Sequence, residues 1–134
     1  MKNLTDVEIL ALYEQTENIE YLKIFKKKQF NSIRDEKLKN LVIKMELNGD
    51  TVRFNADEIS QDRLNRAINA LPDGQTITWI DADDNKRVLT KNDCLTGLQI
   101  AGKMQTELFV KCNELKRQVD ESSAEKEINR IKWD

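Results

Sequence analysis

The sequence predicts an α+β protein: N-terminal helix or helices, a small antiparallel sheet built from two β-hairpins, a short middle helix and a long C-terminal helix. Three observations predict it. Apolar residues alternate with polar ones on both sides of Asn48-Gly49. A β-branched run containing Trp79 leads into an acidic turn and a return segment. From Cys94 to Val119 the apolar residues recur at helical spacing.

The elements follow in order. Thr5 with Glu8 makes a capping-box pattern, in which hydroxyl and carboxylate each satisfy a backbone N–H of the first turn. Val7, Leu10, Ala11 and Tyr13 give that helix a rough apolar side. Thr16-Glu17-Asn18 interrupts it, and Ile19, Leu22, Phe25, Phe30 and Ile33 resume the pattern. Both one interrupted helix and two successive helices fit these residues.

Ile43, Met45 and Leu47 then alternate with Lys44 and Glu46, the period of a half-buried strand. Asn48-Gly49 supplies a turn that tolerates positive φ, and Val52 and Phe54 alternate on the return. Asn55 or Asp57 can cap the next helix. Ile59, Leu64, Ala67, Ile68 and Leu71 form its apolar side, and Pro72-Asp73-Gly74 ends it. Thr76 to Ile80 is β-branched strand, Asp81 to Asn85 a turn, and Arg87 to Leu89 a return strand. The two hairpins are expected to share one sheet.

Thr90 with Asp93 opens the final helix. Cys94, Leu98, Ala101, Gln105, Leu108, Cys112, Leu115 and Val119 are spaced alternately by four and three residues, which is a heptad seam. Leu95, Gly102 and Phe109 form a second line beside it. Together they predict a wide apolar face. Gln105 is the polar break in the seam, a feature that can set register between chains. Asp120-Glu121-Ser122-Ser123 stops the pattern. Ser122 with Glu125 is placed to cap a short helix carrying Ala124, Ile128 and Ile131, and Trp133 comes after it. The chain divides accordingly into a helical extension at 1–20, one α+β domain at 21–120 and a helical tail at 121–134.

The 134 residues suffice for one domain. Apolar residues make up 39% and charged residues 34%, a charge content that suits a long solvated helix or one completed by a partner. A net charge of −2 points away from nucleic acid as the main ligand. The basic run Lys26-Lys27-Lys28 reads as a solvated helix face. No apolar stretch approaches the roughly 20 residues of a membrane span, and the N-terminus lacks signal-peptide features. Cys94 and Cys112 both fall on the last helix, roughly 27 Å apart at about 1.5 Å per residue. They are read as buried free thiols, since a bridge within one helix is excluded at that distance.

Candidate chemistry is sparse. The chain has no histidine, which excludes Ser-His-Asp and Cys-His arrangements. Its glycines are scattered, so no phosphate loop forms. Asp81, Asp83 and Asn85 match the first three ligand positions of an EF-hand loop. The pattern then fails, with Lys86 where Gly is needed and Asn92 where the bidentate Glu belongs. The turn is therefore read as capped by its own side chains. No catalytic residue, cofactor, metal ion or small-molecule substrate is expected. Trp79, Leu98, Leu108, Phe109, Leu115 and Trp133 are the candidates for core or protein contact.

Taken together, FNADEISQDRLNRAINAL and TITWIDADDNKRVLTKNDCLTGLQIAGKMQTELFVKCNELKRQV resemble the DUF4376 family. The matching pattern begins with Phe54, Asp57 and Ser60, then Arg63 and the strand with Trp79. Asp81 and Asn85 come next in the turn, then Leu89-Thr90, Leu108-Phe109 and Leu115-Lys116. With the preceding KKKQFNSIRDEKL, the resemblance spans about residues 24–119. It implies a setting in tailed phages and prophages, in or beside tail-fibre and tail-assembly proteins. It carries no catalytic or ligand residues.

The resemblance implies a non-enzymatic, tail-associated structural or assembly protein. Its partners would be another tail protein or further copies of itself, a homotrimer being one arrangement the seam allows. It would be made in the bacterial host cytoplasm and, as a structural part, carried in the virion tail. Two alternative readings stand beside this one: a tail-fibre assembly chaperone, and a small phage-encoded inhibitor of a host defence or regulatory protein.

Overall fold

The computed structural model describes residues 4–134. Its elements run α1 (Asp6–Thr16), α2 (Ile19–Lys39), β1 (Val42–Leu47), β2 (Asp50–Asn55), α3 (Glu58–Asn69), β3 (Thr76–Ile80), β4 (Lys86–Thr90), α4 (Lys91–Glu121) and α5 (Glu125–Arg130). The class is α+β, with a long C-terminal helix. The chain forms two compact units, one of Met1–Asp35 with Leu108–Asp134, the other of Glu36–Glu107.

The first unit is helical. The Thr5 capping box is complete, with Thr5 and Glu8 satisfying each other's backbone. Two helices, not one, precede Asn40. Glu17 takes the left-handed conformation at φ 55° and ends α1. The Asn18 carboxamide oxygen then accepts from the Glu20 N–H at 3.0 Å and starts α2. Phe30, Cys112, Leu115 and Val119 are buried together, with Ile33, Ile131 and Trp133 packed against them.

The basic run is tied down inside this unit. Lys27 Nζ donates to the Asp120 carboxylate at 2.8 Å, and Lys28 Nζ donates to the Leu4 carbonyl at 2.7 Å. Buried Lys23 donates to the Asp120 carbonyl at 3.0 Å. A cation at a helix C-terminus offsets the partial negative charge of unpaired carbonyls. The entry to α5 differs from expectation. Ser122 Oγ bonds back to the Gln118 carbonyl at 2.8 Å, while Glu127 accepts from the Ser123 N–H at 3.1 Å. Glu127 wins because it occupies the third position of a helix whose N-cap is Ala124.

The second unit holds both hairpins. β1 pairs antiparallel with β2, Leu47 opposite Asp50 across the two-residue turn. Asn48 and Gly49 have φ of 51° and 88°, the doubly positive turn whose twist matches the strands. Ile43, Met45, Val52 and Phe54 are buried on one face. α4 crosses that face at Gly97, where an added Cβ would lie 3.5 Å from Met45 Sδ and 3.6 Å from Ile43 Cδ1.

β3 pairs with β4, but the hairpins do not share a ladder; they are separate two-stranded sheets. They meet through the Ala82 N–H, which donates to the Arg53 carbonyl at 2.8 Å. The Arg53–Asp83 ion pair lies beside it at 2.8 Å. A turn residue, not a strand, therefore occupies the outer edge of β2. On α3, Ile59 faces solvent, while Ile68 is buried.

Candidate functional site

The candidate residues fall into two groups. In the first unit, Leu115 is buried in the Phe30 cluster and Trp133 packs against it. The Phe30 and Trp133 ring centroids lie 6.5 Å apart, within the range of a favourable aromatic pair. Lys111 Nζ sits 5.7 Å from the Trp133 centroid. The terminal aromatic thus docks on its own unit. Leu108 is half-buried, whereas Phe109 is 44% exposed and neighbouring Val110 62%. The Arg34 guanidinium lies 5.1 Å over the Phe109 ring, a cation–π contact that holds the ring without covering it.

In the second unit, Trp79 and Leu98 line one small cavity with Ile43, Met45, Phe54, Leu89 and Cys94. Its volume is about 20 Å³. That is room for one water, far below the several hundred Å³ of a small-molecule pocket. Trp79 is half-buried, so its ring belongs to the wall of the core with one side open.

The broad apolar face expected of α4 is narrower than its sequence suggests. The seam residues Cys94, Ala101, Cys112, Leu115 and Val119 are buried, while Leu95 and Phe109 of the second line are exposed. Gln105 finds its partner within the chain, since Gln61 Nε2 donates to its side-chain oxygen at 3.1 Å. The same Nε2 donates to the Ala56 carbonyl at 2.7 Å. The polar break in the seam thus lies in the α3–α4 contact.

The acidic turn is built around Asp81, which is 2% exposed. Its Oδ1 accepts from the Asp83 and Asn85 N–H groups, each at 2.9 Å. Its Oδ2 accepts from Arg87 Nε at 2.8 Å. The Arg87 hydrogen bond, then the backbone N–H of Asn85, hold this carboxyl below the ordinary aspartate range. A buried carboxylate so engaged organises the turn, with both of its oxygens committed to these donors. Among the described residues no group of three acidic or thiol side chains is arranged to hold a metal ion.

Both thiols are free and buried. Burial raises the Cys94 thiol, and the neighbouring Asp93 carboxylate raises it further; a thiol so placed stays protonated and is a poor nucleophile. No helix among the described residues is long and apolar enough to cross a membrane.

Two features of this arrangement lay outside sequence reasoning. One is the pair of half-buried Arg34 and exposed Phe109, which joins residues far apart in sequence. The other is the outer edge of β1, which no strand covers among the described residues. No curated protein and no solved structure matches the chain. The family model described as a domain of unknown function, DUF4376, matches residues 22–132. That match takes in α5 and most of the tail, which the resemblance read to residue 119 had left out. The chain belongs to the DUF4376 family.

Proposed function

We propose that this protein is a non-enzymatic, tail-associated component of a phage or prophage, structural or assembly-related, that works by binding other proteins. The phage setting is the implication of the family resemblance. The contact reading is supported by one observation above the others. Phe109 is the exposed aromatic among the described residues, and the Arg34 guanidinium stacks on its ring. Aromatic and arginine side chains dominate the binding energy of protein interfaces. A ring already fixed in one orientation loses little further freedom when a partner covers it. Val110 beside it extends the apolar patch.

Co-expression with tail-fibre and tail-assembly chains of a tailed phage that carries a member of this family tests the reading. A stable complex with one of them is the expected result, and Phe109→Asp should weaken it at least about tenfold, as loss of an interface anchor does. Recovery of the complex from assembled particles would mark a structural component. Recovery only before assembly would mark a chaperone. Failure to bind any of these chains, together with capture of a defined host protein through Phe109, would replace the tail reading with the inhibitor reading.

A further inference from the structure

We infer that the outer edge of β1 is a pairing site for the β1 strand of a second copy of this chain, in one antiparallel register centred on Met45. The inference stands on strand geometry alone, whatever else the protein binds. Hydrogen bonding alternates along an antiparallel pair. Leu47 faces Asp50 across the two-residue turn, and the Ala56 N–H donates to the Leu41 carbonyl at 2.8 Å. The backbone of every second residue in between therefore faces β2. The N–H and C=O groups of Val42, Lys44 and Glu46 face the other way. Among the described residues no backbone bond reaches them, whereas the corresponding edge of β2 is occupied at Arg53 by Ala82.

The side chains on this edge select the occupant. Lys44 and Glu46 are exposed on the same face of the sheet. Within the chain, Lys44 lies opposite Arg53, a like charge, and Glu46 lies opposite Thr51. Among the described residues neither Lys44 nor Glu46 forms an ion pair. Two β1 strands related by a two-fold axis at Met45 place Lys44 opposite Glu46 of the second copy, twice. Both pairs fall at positions whose backbones face outward, so ladder bonds and opposite charges coincide. Cross-strand pairs of opposite charge stabilise a sheet and like charges opposite each other destabilise it. The outer edge of β4 is the poorer template, because self-pairing centred on Val88 sets Lys86 opposite Thr90 and forms no pair of opposite charge. One six-residue strand pair covers much less than the roughly 1,200 Å² of a stable interface. The dimer is accordingly weak and concentration-dependent.

Sedimentation equilibrium up to about 1 mM protein, the millimolar end of measurable affinity, tests this with surface variants that leave the core untouched. The wild type should pass from monomer towards dimer. Lys44→Glu and Glu46→Lys should each weaken self-association at least about tenfold, since each sets two like-charge pairs face to face. Mixing the two variants in equal amounts should restore association, because Glu then faces Lys at both positions. The double variant should restore it as well. A wild type that stays monomeric throughout overturns the inference, as does a dimer indifferent to the single reversals. A pair of variants that fails to recover on mixing overturns the register.

Discussion

Gly97 separates the packing of α4 on β1 from the intrinsic preference of the helix. Replacing it with alanine adds one methyl in the interior of a 31-residue helix. Glycine in such a position costs about 0.8–1.0 kcal/mol relative to alanine, because its backbone loses more freedom on folding. The new methyl would sit 3.5 Å from Met45 Sδ and 3.6 Å from Ile43 Cδ1. These are ordinary van der Waals separations, so neither neighbour has to move. A buried methyl adds up to about 0.8 kcal/mol of transfer free energy. The expected net effect of Gly97→Ala is a stabilisation of about 1 kcal/mol. An unfolding entropy of about 2.1 cal/mol/K per residue converts that to roughly 3–4 °C in Tm for a chain of this length. Gly97→Leu reverses the sign, because a branched side chain has no space there and overpacking costs about 1–3 kcal/mol. Urea titration followed by circular dichroism measures both. A destabilised alanine variant would mean that α4 lies closer to β1 than described. A leucine variant as stable as the wild type would mean that the contact does not form.

Three other outcomes rest on the same geometry. Ile128 is 0% exposed, so Ile128→Ala should cost about 2–5 kcal/mol, read as a lowered urea midpoint with loss of amide protection in α5. Gly49 has φ 88°, so Gly49→Ala should destabilise by about 1 kcal/mol, the left-handed cost of a Cβ, although nothing lies within 4 Å of the added methyl. Asp81 supplies the pH dependence: Arg87, chiefly, lowers its carboxyl from the ordinary 3.8. A lowered folded pKa means that the native state holds the carboxylate more strongly than the unfolded chain does. Its contribution is therefore complete above the ordinary value and disappears as the pH falls through the lower folded one. The stability gap between wild type and Asp81→Asn should be full near pH 6 and close in strong acid; a gap constant with pH would refute the account.

The elements legible in the sequence were those set by neighbours a few residues away. The Thr5–Glu8 and Thr90–Asp93 boxes close as their spacing requires. Asn48-Gly49 turns the first hairpin because those two residues tolerate positive φ. The break at Thr16-Glu17-Asn18 was visible, but its outcome was not. Two helices result because Glu17 turns left-handed and Asn18 caps α2, a choice that local spacing alone leaves open.

The contact candidates show the same division. Leu115 and Trp133 share a cluster, and Trp79 and Leu98 share a cavity wall, groupings that no periodicity specifies. A seam and a second line one position over look alike on a helical repeat. Only the elements packed around α4 leave Leu95 and Phe109 exposed. In the sequence, Asp81 is the first of three calcium-loop-like positions in a turn capped by its own side chains, and that capping is seen, but its burial is not legible there. Arg87, six residues on, and two backbone N–H groups make it the buried centre of that turn.

Hydrophobic period, caps and turn residues act through the first few neighbours, so the sequence by itself determined the α+β class and the order of the elements. Tertiary structure decided which apolar faces found partners, why the hairpins stayed apart and which strand edge was left open. Those outcomes turn on contacts such as Ala82 with Arg53, whose members lie far apart in the chain and meet only once it is folded.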